Sequence, residues 1–111
     1  MKRRGFEPGT PVLLYLHAPR EKVFGVLLSL EPAGIAVRGI ELAAFEDWLR
    51  QEARGEKGLG LVTLFYPMNR VERVERDESV GGLESIGDRV RRQTGRSVLE
   101  AAGLSSRRTR R

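Results

Sequence analysis

Val23-Phe24-Gly25-Val26-Leu27-Leu28-Ser29-Leu30, then Glu31-Pro32-Ala33-Gly34, then Ile35-Ala36-Val37-Arg38-Gly39-Ile40: the reading of this stretch decides the fold. Its first segment reads as a strand, with Phe24, Val26, Leu28 and Leu30 on one face by the two-residue period. Gly25 has no side chain to pack, so in mid-strand it marks a bend or a close backbone approach. Proline suits the second position of the turn that follows and glycine the fourth. The two apolar segments therefore close into a hairpin.

Before this hairpin, the turn Glu7-Pro8-Gly9-Thr10-Pro11 hands over to Val12-Leu13-Leu14-Tyr15-Leu16. A continuous apolar run of that length suits a strand buried on both faces. After the hairpin the pattern changes at Glu41. Leu42, Phe45 and Leu49 recur at helical spacing with Trp48 beside them, and Glu46 precedes Arg50 by four, the favourable order. The spacing predicts one amphipathic helix over 41–54, stopped by Gly55. Leu61-Val62-Thr63-Leu64-Phe65-Tyr66 reads as a further strand, closed by Pro67. Pro67-Met68-Asn69-Arg70 makes a tight link to Val71-Glu72-Arg73-Val74-Glu75-Arg76, a charged, edge-like strand whose Val71/Val74 spacing departs from a period of two.

Gly81-Gly82 reads as a hinge. Leu83, Ile86 and Val90 then mark a short helix ending near Thr94-Gly95, and Ser97-Val98-Leu99-Glu100 carries the capping-box pattern of a last helical turn that stops at Gly103. Residues 105–111 have nothing to bury and are expected to be disordered. The fold class is thus mainly β, a β-rich α+β domain. Five short strands form a small antiparallel barrel, with one helix inserted between strands three and four and short helices at the C-terminus. The organisation is a basic N-terminal segment and turn over 1–9, the barrel over 10–78, a helical extension over 79–104 and a basic tail over 105–111.

A chain of 111 residues, 40% apolar and 32% charged, fits one soluble domain with a single core. It has no cysteine, which excludes disulfides, thiolate catalysis and Cys-based zinc sites. The opening Met1-Lys2-Arg3-Arg4 is followed by Gly5-Phe6-Glu7-Pro8-Gly9 where a signal peptide would need an apolar stretch. The runs Val12–Leu16 and Val23–Leu28 fall far short of the roughly 20 residues that cross a bilayer. The expectation is a cytoplasmic protein without a membrane partner.

The net charge of +5 sits at the ends. Over residues 1–78, twelve Lys/Arg balance twelve Asp/Glu, whereas residues 79–111 carry eight Arg against three acids. Without Lys2, Arg3 and Arg4, the body over 5–78 is net negative. Basic tails of this kind attract anionic polymers without making the body a nucleic-acid binder.

The strand order, Gly25 followed two places on by Leu27, and the short turn before the last strand resemble the Sm and Sm-like proteins and, more loosely, the SH3-like barrels. The resemblance covers roughly residues 10–76. It implies a five-stranded barrel that joins edge to edge into rings and binds single-stranded RNA. Glu31-Pro32-Ala33-Gly34-Ile35 stands where that family places its pocket Asp and Asn, and Tyr66-Pro67-Met68-Asn69-Arg70 stands where it places an Arg/Lys-Gly pair.

Tyr66, Asn69 and Arg70 bring an aromatic, an amide and a guanidinium to a strand end, a set that can stack on a base and read its edge. The same residues also suit an ordinary proline turn. Arg89, Arg92 and Arg96 would align on one face of a continuous helix. With Arg107, Arg108, Arg110 and Arg111 they form the basic concentration that could contact phosphates. Phe24, Phe45 and Trp48 at core spacing read as packing rather than as a ligand platform. His17, the single histidine, has no orienting partner in the sequence. The pairs Glu46/Asp47, Glu72/Glu75 and Asp77/Glu78 lack metal-site spacing and read as solvated charge. Gly55-Glu56-Lys57-Gly58 matches a GXXG string but leads into a strand, as a loop would. No catalytic residue, cofactor or metal is expected. The first functional expectation is an RNA-binding module, with single-stranded RNA as partner. The alternative is a protein-interaction or self-assembly domain that forms a homo-oligomer through strand edges.

Overall fold

The computed structural model describes residues 5–56 and 60–104. Five antiparallel strands, β1 (Pro11–Leu16), β2 (Glu21–Glu31), β3 (Gly34–Glu41), β4 (Val62–Pro67) and β5 (Val71–Arg76), form one sheet in the order β4-β3-β2-β1-β5. Helix α1 (Leu42–Ala53) is inserted between β3 and β4, and α2 (Ile86–Thr94) and α3 (Val98–Ala101) follow β5. Of the expected barrel, the strands, their antiparallel pairing and the inserted helix are all present. The sheet itself is open, with β4 and β5 as its two edges.

The β2–β3 hairpin turns through Pro32-Ala33, with Glu31 opposite Gly34. In mid-strand Gly25 stands opposite Gly39, and the two backbones approach too closely for side chains. A Cβ on Gly25 would lie 2.7 Å from the Arg38 carbonyl oxygen, and one on Gly39 would lie 2.4 Å from that of Phe24. The close approach is the reason for both glycines.

Two irregularities explain where the two-residue period fails. A bulge between Leu27 and Ser29 adds one residue to β2, which reverses the facing of everything beyond it. Phe24 and Val26 pack on one face, whereas Leu30 packs with Val23 and Leu27 on the other. Phe24, Val26, Leu28 and Leu30 therefore do not share a face. On β5 a second bulge leaves Glu72 without a partner in register. Val71 and Val74, three apart, can then both reach the inner face.

Each face of the sheet has its own core. The inner one gathers Val12, Leu14, Leu16, Val23, Leu27, Ile35 and Val37, with Leu64 and Tyr66 from β4 and Val71 and Val74 from β5 packed against it. The outer one joins Phe24, Val26 and Ile40 to Phe45, Trp48 and Leu49 of α1, Val90 of α2, and Val98 and Ala102 of the α3 segment. Burying each large apolar side chain contributes about 1.5–3 kcal/mol relative to exposing it. The strand buried on both faces is thus β2, where Val23 through Leu27 are all buried, and not β1, whose Leu13 and Tyr15 are half-exposed.

Trp48, Phe24 and Phe45 are core residues, as their spacing indicates. Phe45 meets Phe24 edge-on at 5.7 Å and Trp48 at 5.7 Å. The C-terminal extension completes this core rather than trailing from it. Helix α2 starts on Ser85, whose hydroxyl accepts from the Asp88 amide at 2.9 Å. It ends on Gly95 in the left-handed conformation. Leu83 is no part of this helix. It is 77% exposed in a tight turn where Val80 and Leu83 bond each other across Gly81-Gly82, so the expected hinge is a closed two-residue turn. The capping box of Ser97 and Glu100 forms as the sequence predicts, and Gly103 follows with positive φ.

Candidate functional site

Tyr66, Asn69 and Arg70 do come together, at the end of β4 and in the 3-10 turn Met68–Arg70. Two of the three are committed to the fold. Tyr66 packs on the inner core, and burial, aided by the Glu21 and Glu41 carboxylates, pushes its phenol pKa up. The Arg70 guanidinium lies 5.7 Å over the Tyr66 ring. It donates to the carbonyls of His17 and Pro19, both at 3.0 Å, and to Glu21 Oε1 at 2.9 Å. The His17 amide donates back to the Arg70 carbonyl at 3.0 Å. Arg70 therefore holds the β1–β2 connection in place. Asn69 stays exposed.

The arginines of the extension do not form one helical face, because α2 stops at Thr94 and Arg96 lies beyond it. Arg89, Arg92 and Arg96 each meet an acid, whereas Arg91 is simply exposed on α2. Arg89 is bidentate to Glu46 of α1, at 2.8 and 2.7 Å. Arg92 grips Glu84 at 2.5 and 3.2 Å, and Arg96 reaches Glu52 of α1 at 3.1 Å. These bonds hold the Glu46 and Glu84 carboxyls below the usual carboxylate range and raise Arg89 and Arg92. A carboxylate partner offsets part of an arginine's attraction for phosphate, and the half-exposed pairs of Arg92 and Arg96 open at little cost. Arg107, Arg108, Arg110 and Arg111 lie outside the described residues, as do Lys2, Arg3, Arg4 and the Lys57-Gly58 half of the GXXG string.

His17 is exposed in its connection. Among the described residues no group of three or more His, Asp or Glu is placed to hold a metal, and no helix is long and apolar enough to cross a membrane. Asp77 is not a solvated charge. Its two carboxylate oxygens accept the amides of Ile86 at 2.8 Å and Gly87 at 2.7 Å, tying the end of β5 to the start of α2. Beside it, Leu13, Glu75, Arg76, Asp77, Glu78 and Val80 line a shallow groove.

Strand edges were expected as a pairing surface, and what the sequence did not locate is the rim of β4. Among the described residues this strand pairs with β3 alone. The Met68 amide donates to the Ala33 carbonyl at 3.0 Å. By the alternation of an antiparallel ladder, the amides of Tyr66, Leu64 and Val62 then face β3, whereas those of Phe65 and Thr63 face outward. Pro67, with no amide to offer, falls on the outward parity, where it costs no ladder bond. Val62 is 53% and Phe65 58% exposed, and residues 61–67 carry no charge. The opposite rim is protected. β5 is bulged at Glu72 and studded with Glu72, Arg73, Glu75 and Arg76, and Arg73 lies 4.2 Å over the Tyr15 ring. The signal in the sequence was the uncharged run up to Pro67, which reads equally well as a central strand.

No protein-family model matches the chain, and no curated protein or solved structure matches it significantly.

Proposed function

We propose that this domain is a non-catalytic protein-interaction module, a half-open barrel that lends the free rim of β4 to a partner strand. The observation that carries this reading is the contrast between the two rims. One is uncharged, with outward amides at Thr63 and Phe65 and exposed apolar side chains. The other is bulged and charged. An unprotected rim is a template for strand addition, in which main-chain bonds supply affinity and alternate side chains supply specificity. The barrel-like description is supported by side chains from both rim strands packing on one inner core. The Sm-like resemblance remains one of strand number and sequence order.

RNA binding is the competing reading, and the pairing of Arg70, Arg89, Arg92 and Arg96 within the chain counts against it. The test compares the full chain, a Thr63→Pro variant and a variant with Arg107, Arg108, Arg110 and Arg111 changed to Gln. Each is assayed for protein partners and for single-stranded RNA at low and moderate salt. Loss of protein partners in Thr63→Pro supports the interaction module. RNA binding that survives the tail changes and moderate salt overturns it in favour of an RNA site on the body.

A further inference from the structure

Building on the interaction-module reading, we propose that the partner strand is β4 of a second copy of this chain, paired antiparallel about Leu64.

The rim is complementary to itself. Its two outward amides, on Thr63 and Phe65, are equidistant from Leu64. A two-fold axis at Leu64 sets Thr63 opposite the second copy's Phe65, and Phe65 opposite the second copy's Thr63. Both are hydrogen-bonded pairs, so four main-chain bonds form without any change of register. The same axis sets Val62 opposite the second copy's Tyr66. The two Phe65 rings become diagonal neighbours on the outer face, within reach of aromatic side chains. Val62, 53% exposed, thereby gains a cross-strand neighbour, while each Phe65 ring stays over Gly34 of its own β3.

Charge permits this pairing and disfavours the other. Residues 61–67 carry no charge, so no like charges meet across the axis. The β5 rim would bring Glu72, Arg73, Glu75 and Arg76 against an apolar strand, and its bulge at Glu72 breaks the run of outward amides. Antiparallel β4–β4 pairing also closes on itself, giving a dimer with one continuous ten-stranded sheet rather than an open-ended fibre.

The test is sedimentation velocity of the full chain over a wide concentration range, alongside amide hydrogen exchange. The expected result is a monomer–dimer equilibrium in which the Thr63 and Phe65 amides are protected in concentrated samples and exchange freely on dilution. Thr63→Pro removes two of the four bonds without touching the β3 ladder. It should weaken the dimer about 25-fold, at about a factor of five per bond, with circular dichroism and Trp48 emission unchanged. Phe65→Lys is the second variant should proline disturb the strand, and it should also favour the monomer. A chain that stays monomeric at all concentrations overturns self-pairing. So does a dimer that Thr63→Pro leaves intact with both amides unprotected, or a ladder of larger oligomers. If the chain is monomeric while Thr63→Pro still loses a protein partner, the interaction-module reading stands and only the second copy falls.

Discussion

Arg89 holds Glu46 with both arms of its guanidinium, at 2.8 and 2.7 Å, across 43 residues of sequence. The pair joins α2 to α1, and the same guanidinium lies 5.7 Å over the Phe45 ring at the margin of the outer core. One of the arginines that the sequence offers for phosphate contact is thus also a fastening of the fold.

That pair has a titration signature. Glu46 is held below its ordinary value of 4.5 chiefly by the hydrogen bond from Arg89. Its contribution to stability is present at neutral pH and is lost as pH falls below 4.5 and through the lower folded value, because the unfolded chain takes up the proton first. In Arg89→Ala, carboxyl-carbon NMR should show the Glu46 pKa moving up towards the ordinary value. A value that does not move would show that the pair does not persist in solution.

The extension is part of the outer core, since Val90 is fully buried against Trp48 and its neighbours. Val90→Ala should destabilise the domain by about 2 kcal/mol through lost burial and the cavity left behind. Val90→Asp should undock α2 and shift the emission of the single tryptophan to the red. A Val90→Asp protein with wild-type emission would mean that the extension does not pack as described.

Gly39 cannot carry a side chain. Its Cβ would sit 2.4 Å from the Phe24 carbonyl oxygen, a backbone atom in the centre of the sheet. Gly39→Ala should cost about 1–3 kcal/mol, the range for forcing atoms into a packed interior. The same change at Gly60, where no atom of the described residues beyond its chain neighbours lies within 4 Å of the added atom, should be close to neutral. Equal urea midpoints for the two variants would contradict the close approach of β2 and β3.

Asp77 caps α2 from outside the helix. Asp77→Ala frees the amides of Ile86 and Gly87 and should cost about 1 kcal/mol. Those two amides should exchange faster, while Asp88, capped by Ser85, stays protected. Unchanged exchange at Ile86 and Gly87 would remove Asp77 from the cap.

Much of the fold was legible because its signals are local. The Pro32-Ala33 turn, the apolar spacing of Phe45, Trp48 and Leu49, the αL glycine at Gly95 and the Ser97/Glu100 capping box each depend on residues within a few positions of one another. The candidate site was legible only in part. Tyr66, Asn69 and Arg70 lie at one strand end, as their spacing indicates, yet nothing nearby in sequence shows that Arg70 reaches back across 53 residues to the His17 carbonyl.

By itself the sequence determined the strand and helix segments, the absence of cysteine chemistry and the concentration of charge at the ends. The tertiary structure alone decided which carboxylate each arginine meets. It also decided which face Leu30 and Val74 take beyond their bulges, and which uncharged strand has, among the described residues, a neighbour on one side only. Turns, caps and periods are set by sterics and hydrogen bonds between near neighbours in the chain. Ion pairs, bulges and rims exist only once segments distant in sequence are brought side by side.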